Sequence, residues 1–168
     1  MQKVLIPVDG SRNSQLAVRH VLKEFMNNTA MEIHLLNVQS PFSREIARFL
    51  SRKTLLDHHR EQAENTLSPL KKMLDAHGVP YSAHTDIGDR AKCIVAAARR
   101  LRCDLIVIGT ARKNSLTRLV ENSVTNQVIA QTSVPVEVIP GDAVSGLERY
   151  GIPAAIGAAA ALLLVAAD

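Results

Sequence analysis

Residues 104–140 read as a strand, a polar loop, a helix and a second strand in succession, an order that leaves few folds open. Leu105-Ile106-Val107-Ile108 is a continuous apolar run, the pattern of a strand covered on both faces, as in parallel sheets. Gly109 ends it. The loop over 110–122 carries Arg112, Lys113 and Arg118 among hydroxyls and amides. Asn122-Ser123 then leads into a helix with Val124, Val128 and Ile129 on one face, which stops by Thr132-Ser133. Val134-Pro135-Val136-Glu137-Val138-Ile139 follows as another strand. A basic loop that leaves the carboxyl end of a parallel strand and enters a helix N-terminus is an anion site, because backbone N–H groups and the helix dipole point at it.

The rest of the chain repeats the alternation. Residues 3–8 are a short β-branched run closed by Asp9-Gly10-Ser11, the first strand. Asp9 stands at its carboxyl end, where either Asp9 or Ser11 can cap the next helix. That helix runs to about residue 27 and turns Ala17, Val18, Val21, Leu22 and Phe25 to the sheet. Residues 32–38 are the second strand, and 39–49 a connection with a short helical turn. A charged helix spans 52–77 with Leu56, Ala63, Leu67, Leu70 and Leu74 as its apolar positions. Pro69 predicts a kink or a new start near Ser68, since an interior proline removes a bond and clashes. His58 and His59 are adjacent on this helix, about 100° apart, and so cannot face one metal ion together. They read as part of a solvated face. Residues 81–87 make a more polar edge strand. Gly88-Asp89 caps a helix with Ala91, Ile94, Val95, Ala98 and Leu101 inward.

Five strands alternating with helices over 140 residues predict an α/β fold, an open five-stranded parallel sheet with helices on both faces. The 168 residues, 46% apolar and 21% charged, suit one domain with a real core. A net charge of +4 favours anionic partners, but twenty bases and sixteen acids are interspersed rather than clustered. Three Phe, two Tyr and no Trp argue against a base-stacking surface, so no nucleic-acid partner is expected. Cys93 and Cys103 lack ligand or redox spacing and read as reduced core thiols of a cytoplasmic protein. The first residues enter a strand at once, too short a lead for a secretory signal.

The Val8-Asp9-Gly10-Ser11 segment, the Gly88-Asp89 turn and the Gly109 to Ser123 loop together resemble the universal stress protein family, over residues 1–140. That family's phosphate loop is Gly-x2-Gly-x9-Gly-(Ser/Thr). Gly109 and Ser123 fall in register with its ends, whereas Arg112 and Asn122 occupy the places of its second and third glycines. The resemblance implies the strand order 3-2-1-4-5, with the first and fourth strands flanking a crevice at the switch point. It also implies a nucleotide site drawn from Pro7, Val8 and Asp9, from Val38, from Gly88 and Asp89, and from Gly109, Thr110, Arg112, Asn122, Ser123 and Val124. The implied ligand is ATP or AMP, with Mg²⁺. Because a backbone that cradles phosphates resists a Cβ, the two missing glycines make that binding weak or absent.

The implied function is a non-catalytic stress-response regulator or adaptor, acting as a homodimer through the apolar edge strand over 134–139, which is too apolar to leave uncovered. There is no Gly-x-Ser-x-Gly, no Gly-x4-Gly-Lys-(Ser/Thr), and no His in either loop. The enzymatic alternative is an adenylating, pyrophosphate-releasing relative, whose Ser-Gly-Gly-x-Asp-Ser loop is poorly matched by Asp9-Gly10-Ser11-Arg12-Asn13-Ser14. A phosphoacceptor domain needs an acidic cluster of which only Asp9 is in place.

Residues 141–168 form a linker and an Ala/Leu-rich tail that the resemblance leaves out. Residues 151–167 are uncharged, and seventeen helical residues would reach roughly 26 Å, just under a hydrocarbon core of about 30 Å. With Glu148 beside Arg149 the basic anchor is poor. The tail therefore points either to a helix packed on the protein or a partner, or to peripheral association with the inner membrane.

Overall fold

A computed structural model describes residues 1–110 and 123–141. The elements are β1 (Gln2–Val8), α1 (Arg12–Asn27), β2 (Met31–Gln39), α2 (Arg44–Phe49), α3 (Arg52–Asp75), β3 (Tyr81–Ile87), α4 (Arg90–Leu101), β4 (Leu105–Thr110), α5 (Val124–Gln131) and β5 (Val136–Pro140). All strand pairs are parallel, in the order β3-β2-β1-β4-β5. The order expected from the family pattern is the one observed.

Strand side chains alternate between faces, and here both faces are covered. Val4, Ile6, Val8, Ile33, Leu35 and Val107 pack under α1 and α3. Leu5, Leu36, Val38, Ile106 and Ile108 pack under α4 and α5. This is why β1 and β4 read as apolar runs, whereas β2 buries His34 and Asn37 among its apolar residues. On α3, Leu67, Leu70 and Leu74 are almost fully buried, each stabilising the fold by about 1.5–3 kcal/mol.

The local expectations need four corrections. First, α3 runs unbroken through Pro69. Pro69 and Asn65 are both exposed, so the carbonyl that the proline leaves unpaired can be hydrated, and no new start is needed. Second, Leu56 is 52% exposed and His59 takes the inward position one turn before Ala63. Third, Ile129 is half exposed, because one residue beyond the buried Val128 the helix has already turned about 100°. Fourth, β5 begins at Val136 rather than Val134: the Val134 N–H bonds the Thr132 hydroxyl at 3.1 Å, in a turn that holds it outside the ladder. β5 ends at Pro140. The tail over 151–167 lies outside the described residues.

Candidate functional site

The first and fourth strands separate at their carboxyl ends for a reason written in β1. Registered pairs between them are Val4↔Leu105 and Leu5↔Ile106. The main-chain N–H and C=O of Lys3 both point at β4, bonding Asp104 at 2.8 Å. By alternation those of Leu5 and Pro7 point there too. Pro7 has no N–H to give, so the ladder has no donor at that place and a crevice opens beyond it.

A cavity of about 100 Å³ occupies the opening, lined by Pro7, Val8, Asp9, Val38, Gly109 and Val124 among others. Six of the expected site residues thus come together. Gly88 and Asp89 line an adjoining cavity with Arg90 and Val124. Thr110 closes β4, and its carbonyl accepts from the Gly141 N–H at 2.6 Å. Ser123 is the N-cap of α5, its hydroxyl accepting from the Asn126 N–H at 3.2 Å. The expected positions Arg112 and Asn122 lie outside the described residues.

Two ambiguous caps are resolved. Ser11 caps α1, accepting from the Ser14 N–H at 3.2 Å. Asp9 stands before it, accepting from the Ser11 N–H at 3.0 Å, and its side chain borders the crevice. Burial pushes its carboxyl up, but hydrogen bonds from the Ser11 hydroxyl and N–H and from Ser14 outweigh this and hold it below the usual value. Asp9 is therefore a fixed negative charge at the rim. Asp89 is the N-cap of α4, accepting from the Lys92 N–H at 2.9 Å. Its capping role accounts for its place.

Gly109 serves packing. A Cβ there would overlap the Asn13 carbonyl, so the end of β4 lies directly against the first turn of α1. The glycine that ends the apolar run is what lets α1 close one wall of the crevice.

Arg90 is the residue that sequence reasoning passed over. It is the first residue of α4, borders the crevice, the cavity beside Asp89 and a third cavity under α3, and has no ion-pair partner among the described residues. Its only signal in the sequence is that it follows Gly88-Asp89. His58 and His59 also part company: His58 is exposed, while His59 is 9% exposed and its Nδ1 lies 2.6 Å from Gln39 Oε1. Its solvated reading is therefore corrected, because the inward stripe of α3 extends one turn further than its leucines indicate. Among the described residues, no group of three or more His, Cys, Asp or Glu is placed to hold a metal ion.

Comparison with known proteins places this geometry. The family model described as the universal stress protein family matches residues 1–140. A universal stress protein of Methanocaldococcus jannaschii is 34% identical over 141 residues, covering 82% of this chain and 81% of its own. The solved structure of another protein, a structural-genomics test case whose function was assigned from its structure, is 28% identical. It has a TM-score of 0.65 and covers 85% of this chain and 98% of its own. A family protein from Arabidopsis thaliana, solved with AMP bound, shares the fold at 20% identity and a TM-score of 0.63, covering 85% of this chain and 94% of its own. With the sheet order, the crevice at the switch point and these matches in agreement, the chain belongs to the universal stress protein family.

Proposed function

We propose that this chain is a non-catalytic stress-response regulator that takes an adenine nucleotide weakly in the crevice between β1 and β4. The observation that carries the reading is the cavity itself, with apolar walls from Val8, Val38 and Val124 and a carboxylate at its rim. A purine ring suits such walls, and a fixed acid at the end of a central strand suits ribose hydroxyls. The AMP bound by the Arabidopsis relative supports the same ligand class. Ser14 lines the cavity beside the Asp9 carboxylate, but Ser14 is buried and Asp9, held below its usual value, is a weak base, which favours binding over turnover.

Calorimetric titration with ATP, ADP and AMP, with and without Mg²⁺, tests this. Dissociation constants no tighter than about 100 µM, equivalent to about 5.5 kcal/mol, are expected. Restoring glycine with Arg112→Gly and Asn122→Gly is expected to tighten ATP binding at least tenfold, about 1.4 kcal/mol. Loss of binding in that variant would instead make Arg112 a phosphate ligand. Steady release of AMP and pyrophosphate from ATP at enzymatic rates would overturn the non-catalytic reading.

A homodimer through β5, in the cytoplasm, completes the proposal. Among the described residues β5 pairs with β4 alone, and Val138 within it and Ile129 on α5 are 38% and 50% exposed. Such an apolar edge calls for cover. Light scattering of the full chain at micromolar concentration is expected to return twice the 18.3 kDa chain mass, and a monomer mass would remove this part. Among the described residues no helix is long and apolar enough to cross a membrane.

A further inference from the structure

On the opposite face of the sheet from α4, beneath the first turns of α3, lies a second and more polar chamber of about 280 Å³. Its walls are Asp9, Asn37 and Gln39 from the strand ends, His58, His59, Gln62 and Thr66 from α3, and Arg90 from across the crevice. A buried hydrogen-bond chain holds one side of it rigid. The Asn37 amide donates to the Val8 carbonyl at 2.9 Å, and the Gln39 amide donates to Asn37 Oδ1 at 3.1 Å and to the His59 carbonyl at 2.9 Å. His59 Nδ1 meets Gln39 Oε1, which is an acceptor only, so Nδ1 carries the hydrogen. The other ring nitrogen, Nε2, has no hydrogen-bond partner among the described residues, although the residue is nine-tenths buried and lines the chamber. Phe42 meets both histidines in tilted ring contacts, with ring centres 5.4 Å from His58 and 4.7 Å from His59.

We propose that this chamber is a second binding site, for a small oxyanion. Gln62, Thr66 and Arg90 offer donors, and Arg90 brings a charge that no carboxylate of the described residues neutralises. Asp9 is the only acid lining it. With its Oδ1 committed to the Ser11 N–H and its place on the seam with the first cavity, it repels an anion toward the α3 wall. His59 Nε2 gains a partner on binding by accepting from a protonated oxyanion. An oxyanion reaches the chamber either free or as the phosphoryl group of a nucleotide seated in the neighbouring cavity, since the two share Asp9, Val38 and Arg90.

The test follows the imidazole resonances of the full-length protein by NMR while inorganic phosphate, AMP or adenosine is added, against chloride at equal ionic strength. Saturable shifts of His58 and His59 with phosphate are expected, without movement of His77, which bonds the Met73 carbonyl at the far end of α3. The paired change Gln62→Ala with Thr66→Val, and separately Arg90→Ala, is expected to weaken phosphate at least about tenfold. If only AMP moves the two histidines, the oxyanion is the nucleotide's own. If phosphate moves them while adenosine and AMP perturb nothing near Val38 or Val124, the oxyanion site stands and the nucleotide reading falls. Absence of saturable shifts with both phosphate and AMP, equal shifts in chloride, or phosphate binding unchanged in both variants would overturn the proposal.

Discussion

Gly109→Ala is expected to lower the melting temperature by about 6–10 °C, the equivalent of about 2–3 kcal/mol for a chain of this size. The added methyl has nowhere to go: it would overlap the main-chain carbonyl of Asn13, and backbone cannot rotate aside as a side chain can. The first turn of α1 must then lift from β4, disturbing the packing of Ala17 and Val18, which are fully buried against the sheet. Gly78→Ala is the comparison. Gly78 has φ +64° and nothing within 4 Å of a built Cβ, so alanine there meets only the left-handed backbone penalty, about 1 kcal/mol. Equal melting temperatures for the two variants in scanning calorimetry would show that α1 yields without cost. The same change at Gly109 deforms the crevice wall, so ligand binding and stability should fall together.

Stability is also expected to fall as pH drops from 7 to 5, through a histidine pair between β2 and β3. His34 Nδ1 and His84 Nε2 are 3.1 Å apart, a contact that needs one ring to donate and the other to accept. His34 Nε2 is within 3.2 Å of Glu32 Oε1, yet off the hydrogen-bonding direction, so the carboxylate stabilises added charge only partly. Burial pushes His34 down from its usual value, against Glu32, which raises it, and with Lys3, which lowers it further. Burial also lowers His84, joined by His34 and Arg100, with Asp86 opposing. Both groups bind protons more readily unfolded than folded. Their contribution is therefore present above the unfolded value near 6.5 and is lost as pH falls through the lower folded values. Two charged rings would face each other as two donors, and the β2–β3 contact would part. His84→Ala leaves the buried His34 Nδ1 without its partner and should cost about 1–3 kcal/mol at pH 7. Replacing both histidines by leucine should be far milder and should flatten the pH dependence of the melting temperature. A slope that survives the double change would place the titration elsewhere.

The sheet was legible because its three central strands are buried on both faces, which leaves largely apolar runs in the sequence, interrupted in β2 by His34 and Asn37. Helix faces were less so. Leu56 looked inward because it is a leucine, whereas the inward place belongs to His59, whose polar atoms find Gln39 across the strand end. Pro69 looked like a break, but a helix surface in water tolerates the lost bond. At the site, Pro7, Asp9 and Gly109 could be placed at strand ends from pattern alone. Their division of labour could not, because an acid that borders a crevice and a serine that caps a helix, two residues apart, leave the same trace. Arg90 was invisible for a plainer reason: one arginine at a helix start looks like any solvated base, and only the convergence of three cavities on it sets it apart.

Gly141 follows β5 as a buried residue, its N–H held by the Thr110 carbonyl and its Cα close against the Asn13 side chain. Gly141 and Gly109 therefore meet the same residue, Asn13, from two strand ends. Asn13 acts as a wedge between them: a side chain added at 141 would push on its amide and one added at 109 on its main chain, and either push would reach the two walls whose separation sets the width of the crevice.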